Sequence, residues 1–148
     1  MVRVGWKQLI KNAPTEAEIL VVEDDPNLRK LTASTVQGMG FSVRTASSAE
    51  EADNWMGSMT FDLVLLDIEL PRMNGVEFLD WALTKQPDLS VIMLTGLNDP
   101  ELALRCLDHG ARTYLVKPFD LDFLERCVRD ALITRNLLIE RNGLFGPP

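Results

Sequence analysis

The sequence has a single histidine, His109, and only two cysteines, Cys106 and Cys127. One histidine leaves zinc centres and Ser-His-Asp or Cys-His catalysis without the residues they require. It lies beside Gly110 at the expected end of a helix, where a cation is favoured, and reads as a surface cap. The cysteines fall in stretches of helical periodicity rather than at metal-ligand spacing, and read as buried or half-buried free thiols in a reducing compartment. Basic clusters are also missing: 15 Lys and Arg stand against 22 Asp and Glu, a formal net charge of −7. Phosphate backbones are bound by clustered positive charge, so direct nucleic-acid binding by this chain is not expected. No apolar run approaches the ~20 residues of a membrane span. Residues 1–14, MVRVGWKQLIKNAP, lack the apolar centre and cleavage site of a signal peptide. A cytoplasmic protein without membrane contact is expected.

What is present is one domain's worth of chain, 148 residues, with five short apolar runs: EILVV (18–22), FSVRTA (41–46), FDLVLL (61–66), LSVIML (89–94) and RTYLV (112–116). These read as strands. Between them, apolar residues recur at helical spacing: Leu28, Leu31 and Thr35; Ala49, Ala52, Trp55 and Met56; Val76, Leu79 and Leu83; Leu102, Leu104 and Leu107; Leu121, Leu124, Val128 and Ala131. Helix starts are marked by Asp25-Pro26, by Ser47 to Glu50 at capping-box spacing and by Asp99-Pro100; Gly38 and Gly110 follow helix ends. Strict alternation with near-continuous apolar strands implies an α/β fold: a doubly wound five-stranded parallel sheet with helices on both faces. FSVRTA, the least apolar run, is the expected edge strand.

In such a sheet the ligand crevice lies beyond the C-terminal strand ends, at the point where strand order reverses. The residues expected there are unusual for the ends of buried strands. The first run leads into Glu23, Asp24 and Asp25; FDLVLLDIELPRMNG breaks its apolar run at Asp67; the fourth ends at Thr95-Gly96 and the fifth at Lys117-Pro118. Asp25 is accounted for as a helix cap. Asp67 is not, because the residues that follow it do not begin a helix. Taken singly, Thr95 and Lys117 fit ordinary turn and loop roles. Together on one sheet edge, carboxylates from adjacent strands would repel one another unless a cation sat among them, and hard oxygen donors with space for water and phosphate suit Mg2+. Thr95 and Lys117 then supply a hydrogen-bond donor and a point charge for phosphoryl oxygens, and Asp67 becomes a candidate nucleophile for an aspartyl phosphate.

The segments ILVVEDDPNLR, LVLLDIELPRMNGVEFL, VIMLTG and GARTYLVKPFDLDFLERC together resemble the receiver domain of two-component response regulators, over about residues 18–133. The resemblance implies a CheY-like, flavodoxin-like sheet of order 2-1-3-4-5. It implies that Asp67 takes a phosphoryl group from a phosphohistidine on a sensor histidine kinase or histidine phosphotransfer protein. It places Mg2+ on Asp24, Asp67 and the backbone carbonyl of Glu69, with Glu23 reaching the metal through water. Thr95 matches the switch hydroxyl, Lys117 the phosphate-pairing lysine and Tyr114 the switch aromatic. Pro118 matches a proline preceded by a cis peptide bond, and Glu69 and Leu97 match two variable positions that tune dephosphorylation. By the same resemblance the chain is a signalling domain that catalyses only its own phosphorylation and dephosphorylation. It would control an output domain or effector, or a homodimer, through the face of the fourth helix, fifth strand and fifth helix.

Two rival readings follow from other resemblances. A metal-dependent phosphatase of the aspartyl-phosphate kind would have a second aspartate two residues after its nucleophile, where this chain has Glu69. A phosphorylation-independent binding module would lose an acid, the threonine or the lysine, and none is lost. Outside the receiver region, residues 1–17 read as a tail or short surface helix. Residues 134–148 read as an extension of the last helix, ~30 Å long in all, ending before RNGLFGPP in a linker. That extension is either a simple overhang or a stalk toward an output domain or a dimer partner.

Overall fold

The computed structural model describes residues 16–96 and 99–145. The expected tail over residues 1–15, Leu97 and the terminal Gly-Pro-Pro therefore lie outside the described residues. The order of elements is β1 (Glu18–Val22), α1 (Pro26–Gly38), β2 (Ser42–Ala46), α2 (Ala49–Ser58), β3 (Leu63–Asp67), β4 (Glu69–Leu70), β5 (Met73–Asn74), α3 (Gly75–Lys85), β6 (Ser90–Thr95), α4 (Pro100–Asp108), β7 (Thr113–Val116) and α5 (Leu121–Phe145). Five strands form one parallel sheet in the order β2-β1-β3-β6-β7. Numbered among themselves, the five sheet strands have the order 2-1-3-4-5.

Side-chain alternation along the strands explains the two layers of helices. Leu20, Val22, Val64, Leu66, Val91 and Met93 point to one face, where they pack with α2, α3 and Cys106 of α4. Ile19, Val21, Leu63, Leu65, Ile92 and Leu94 point to the other, against Val36 of α1 and Leu124, Val128, Ala131 and Leu132 of α5. β3 and β6 are buried at every position, whereas β2 alternates exposed and covered residues as an edge strand does. Burial of each such aliphatic side chain contributes about 1.5–3 kcal/mol. At the opposite end of the sheet from the C-terminal strand tips, Arg135 of α5 pairs with Asp62 at 2.9 Å and donates to the Asp88 carbonyl at 2.7 Å.

Several local readings shift. The buried stripe of α1 is Thr32, Ala33 and Val36, not Leu28, Leu31 and Thr35; Leu31 is 47% exposed. In α4 the buried residue is Cys106, while Leu104 and Leu107 stand out in solvent. In both helices small residues, Ala33 and Cys106, fit close to the sheet and the larger leucines turn away. The cap of α2 is Ser48, which accepts from Glu51 N, while the Glu51 carboxylate reaches back to Ser47 N, one position later than the expected pair. Gly38 is the last residue of α1, and it is Gly40, with φ 98°, that takes the left-handed conformation. Gly110, with φ 103°, does so after α4. His109 caps α4 at the surface, with Nδ1 2.7 Å from Asp80 Oδ1 on α3. Helix α5 has 25 residues, about 37 Å at 1.5 Å per residue, and runs through Gly143 instead of stopping before it.

The β4–β5 hairpin was not expected from the sequence. Its two-residue turn places Pro71 first and Arg72 at φ 69°, a conformation usually left to glycine or asparagine. The chain then returns to Gly75, whose N–H donates to the Ile68 carbonyl at 3.1 Å. A Cβ at position 75 would lie 2.6 Å from Ile68 Cα, so only glycine lets α3 start flush against the residue after Asp67.

Candidate functional site

The strand order reverses between β1 and β3, whose connections leave to opposite sides. The crevice rule for open α/β sheets puts the site at their C-terminal ends. Asp67 is the last residue of β3, which pairs with β1 on one side and β6 on the other, and it is 2% exposed, so the rigid strand fixes its carboxylate. Glu23 follows β1 directly, is 1% exposed, and has its N–H tied to the Ala46 carbonyl at 3.0 Å. Asp24 comes next and is exposed. Asp25 turns away from the cluster to cap α1 through Asn27 N and Leu28 N.

One carboxylate oxygen from each of Glu23, Asp24 and Asp67 falls within 4.8 Å of the others. Lys117, just past β7, donates to both Glu23 oxygens at 2.9 and 2.8 Å and lies 3.2 Å from Asp67 Oδ2. The Lys117–Pro118 peptide is cis, as the resemblance implied. Burial pushes the Glu23 carboxyl up to about 7, with the Lys117 hydrogen bond only partly opposing it. Burial pulls the other way on Lys117, but its hydrogen bond to Glu23 and the charge of Asp67 outweigh it and raise the ammonium. The difference between the partners has a simple cause: one cation serves two carboxylates. Three carboxylates around one ammonium leave excess negative charge, and an all-oxygen donor set fits a hard divalent cation rather than zinc or copper.

The remaining site residues lie on the same edge. Asp67 Oδ1 accepts from Glu69 N at 2.9 Å. The exposed Glu69 side chain bends back so that its Oε1 lies 3.4 Å from Thr95 Oγ1 and 3.3 Å from Gly96 N. Thr95 ends β6 fully buried. It shares a sheet face with Met93, and Met93 pairs with Tyr114 of β7. The half-buried Tyr114 is raised by burial, and a side-chain hydrogen bond with Thr95 opposes that shift. The two residues therefore form a continuous path from the crevice to the core beneath α4, where Tyr114 packs. Thus Glu23, Asp24, Asp67, Glu69, Thr95 and Lys117 are brought together, with Tyr114 one step behind Thr95. Sequence reading missed Arg29 and Gly75. Arg29 Nη1 donates to the Glu23 carbonyl at 3.0 Å. The signals were a basic residue one helical turn past an acidic turn, and a glycine directly after a helix-capping asparagine.

Comparison with known proteins agrees with this geometry. Residues 19–129 match the model of the response regulator receiver domain. The C4-dicarboxylate transport transcriptional regulatory protein DctD of Pseudomonas aeruginosa is 35% identical over 139 residues, covering 89% of this chain and 29% of that protein. The solved structure of NtrX from Brucella abortus in complex with ATP is 35% identical with a TM-score of 0.83, covering 86% of this chain and 29% of that one. A CheY-like receiver domain protein from Methanospirillum hungatei is 31% identical with a TM-score of 0.78, covering 81% of this chain and 96% of that one. The chain thus spans under a third of DctD and NtrX and nearly all of the isolated receiver. With five parallel strands in the order 2-1-3-4-5 and an acidic crevice at their reversal point, the chain belongs to the response regulator receiver domain family.

Proposed function

We propose that Asp67 is the phosphoacceptor of this receiver, with Mg2+ held by Asp24, Asp67 and the Glu69 carbonyl, and by Glu23 through water. The observation that carries the reading is the Lys117 ammonium 3.2 Å from Asp67 beside three converging carboxylates. When bound, the ion offsets the negative charge of the carboxylates and of the incoming phosphoryl group. An Asp67 oxygen attacks the phosphorus of a phosphohistidine on a sensor kinase or phosphotransfer protein. The P–N bond breaks and its electron pair returns to the imidazole. Lys117, Glu69 N–H, Gly96 N–H and the Thr95 hydroxyl are the donors available to the phosphoryl oxygens.

Thr95 is the element that reports phosphorylation. Its hydroxyl moves toward the phosphoryl oxygens, its partner Tyr114 follows, and the face of α4, β7 and α5 changes. That face already presents Leu104, Leu107 and Phe123 to solvent, which suits an output domain, an effector or a second copy. A partial shift between two states suffices for signalling; moving from 1:99 to 99:1 would take ~5.5 kcal/mol. Residues 18–133 form the signalling unit and residues 134–148 its extension. We place the protein in the cytoplasm; no described helix is long and apolar enough to cross a membrane.

The test is intact mass after incubation with acetyl phosphate, with and without Mg2+. One phosphoryl adduct on the wild type, absent in Asp67→Asn and absent without Mg2+, is expected. No adduct under conditions that label a known receiver would overturn the reading in favour of a phosphorylation-independent binding module.

A further inference from the structure

The turn between β1 and α1 carries two of the acids of the crevice. Its first acid, Glu23, is restrained at the N–H by β2, through the Ala46 carbonyl at 3.0 Å. Its carbonyl is restrained from the other direction by a side chain of the following helix. Arg29 folds back over the turn, and Nη1 donates to the Glu23 carbonyl at 3.0 Å and approaches the Asp24 carbonyl at 3.4 Å. Its own backbone is fixed by the first turn of α1, through Arg29 N to the Asp25 carbonyl at 2.9 Å. Asp24 is exposed, and the backbone that Arg29 holds sets where its side chain starts.

We infer that Arg29 is a positioning residue for the metal site: by clamping the carbonyls of Glu23 and Asp24 it fixes where those two carboxylates point. This rests on the proposed Mg2+ reading of the crevice. Groups that orient metal ligands from outside typically change metal affinity 10- to 100-fold when removed. The alternative role, a plain countercharge, has the opposite sign. A guanidinium beside an acidic crevice repels a divalent cation, so deleting a mere countercharge would tighten Mg2+ binding. A residue with only a folding role would lower the unfolding midpoint and leave Mg2+ affinity alone.

The experiment is Mg2+ titration by calorimetry on wild type, Arg29→Met and Arg29→Lys, with each thermal midpoint measured in EDTA. For Arg29→Met, Mg2+ affinity about tenfold weaker is expected; for Arg29→Lys, which keeps the charge but not the reach of Nη1, it is severalfold weaker. Unchanged or tighter binding by Arg29→Met overturns the inference. If Arg29→Met does not fold in EDTA, Arg29→Lys decides: affinity equal to wild type overturns it and weaker affinity supports it. Absence of Mg2+ binding in the wild type would overturn the metal reading itself and this inference with it, whereas wild-type binding with unaffected variants overturns the inference alone.

Discussion

The Lys117 ammonium lies closer to both oxygens of Glu23, at 2.9 and 2.8 Å, than to Asp67, at 3.2 Å. The cation is thus shared unequally between two buried carboxylates, and Glu23 takes the larger part. Glu23 is long enough to place both oxygens on the amine while its backbone stays at the tip of β1.

The pH dependence of the metal-free protein follows from this burial. The Glu23 carboxyl is raised from its ordinary 4.5 to about 7 in the folded state, so the fold binds its proton more tightly than the unfolded chain does. The resulting stability is fully present below pH 4.5 and is lost as pH rises through 7. In EDTA, unfolding free energies from urea titration should fall between pH 5 and 8 by an amount on the order of 2 kcal/mol. Glu23→Gln, neutral at every pH, should flatten that slope. A wild-type slope unchanged in Glu23→Gln would mean another group is responsible.

Gly75→Ala should be costly. The added Cβ would meet Ile68 backbone atoms at 2.6 and 2.9 Å, and neither element can yield without moving the other. A loss of about 2–3 kcal/mol by chemical denaturation is expected. Acetyl phosphate labelling should slow even where the variant is fully folded, because Ile68 adjoins Asp67.

Thr32→Val should stabilise. The Thr32 hydroxyl is fully buried on the inner side of α1, with no hydrogen-bond partner among the described residues. Replacing it with a methyl of similar shape removes an unsatisfied polar group, a gain of about 1 kcal/mol, read as a higher urea midpoint. An unchanged or lower midpoint would show that the hydroxyl is satisfied in solution.

Glu69→Gln should accelerate labelling by acetyl phosphate. The Glu69 carboxylate stands over Thr95 Oγ1 and Gly96 N, the donors proposed for phosphoryl oxygens. An anion there repels the incoming group, and a barrier lower by about 0.7 kcal/mol corresponds to roughly threefold in rate. Initial rates at saturating Mg2+ provide the check, and slower labelling would assign Glu69 a supporting role instead.

Most of the fold was legible because the buried strands carry near-continuous Ile, Leu and Val, and the helix starts carry Asp-Pro and Ser signals. The grouping of Asp67, Glu23, Asp24, Thr95 and Lys117 was legible too, since a charged or polar group at the tip of a buried strand is costly unless it meets a partner or a ligand there. Less was visible where side-chain size mattered more than polarity: Ala33 and Cys106 hold the inward faces of α1 and α4 and displace the leucines outward. The β4–β5 hairpin was hidden because two-residue strands carry no periodicity. Arg29 was hidden because its bonds go to backbone carbonyls, which sequence does not display.

Helix α5 is packed on the sheet through Leu124, Val128, Ala131 and Leu132, and Arg135 fastens it at the far end of the sheet from the crevice. Arg135 grips Asp62 and the Asp88 carbonyl, and past it Leu137 and Leu138 are about half exposed. Arg135 is therefore the polar anchor nearest that exposed end. Ten residues beyond it span about 15 Å, so a tilt of ~10° above would swing the far end by ~2.6 Å. A small rearrangement beside β7 would thus be enlarged toward the end of the helix.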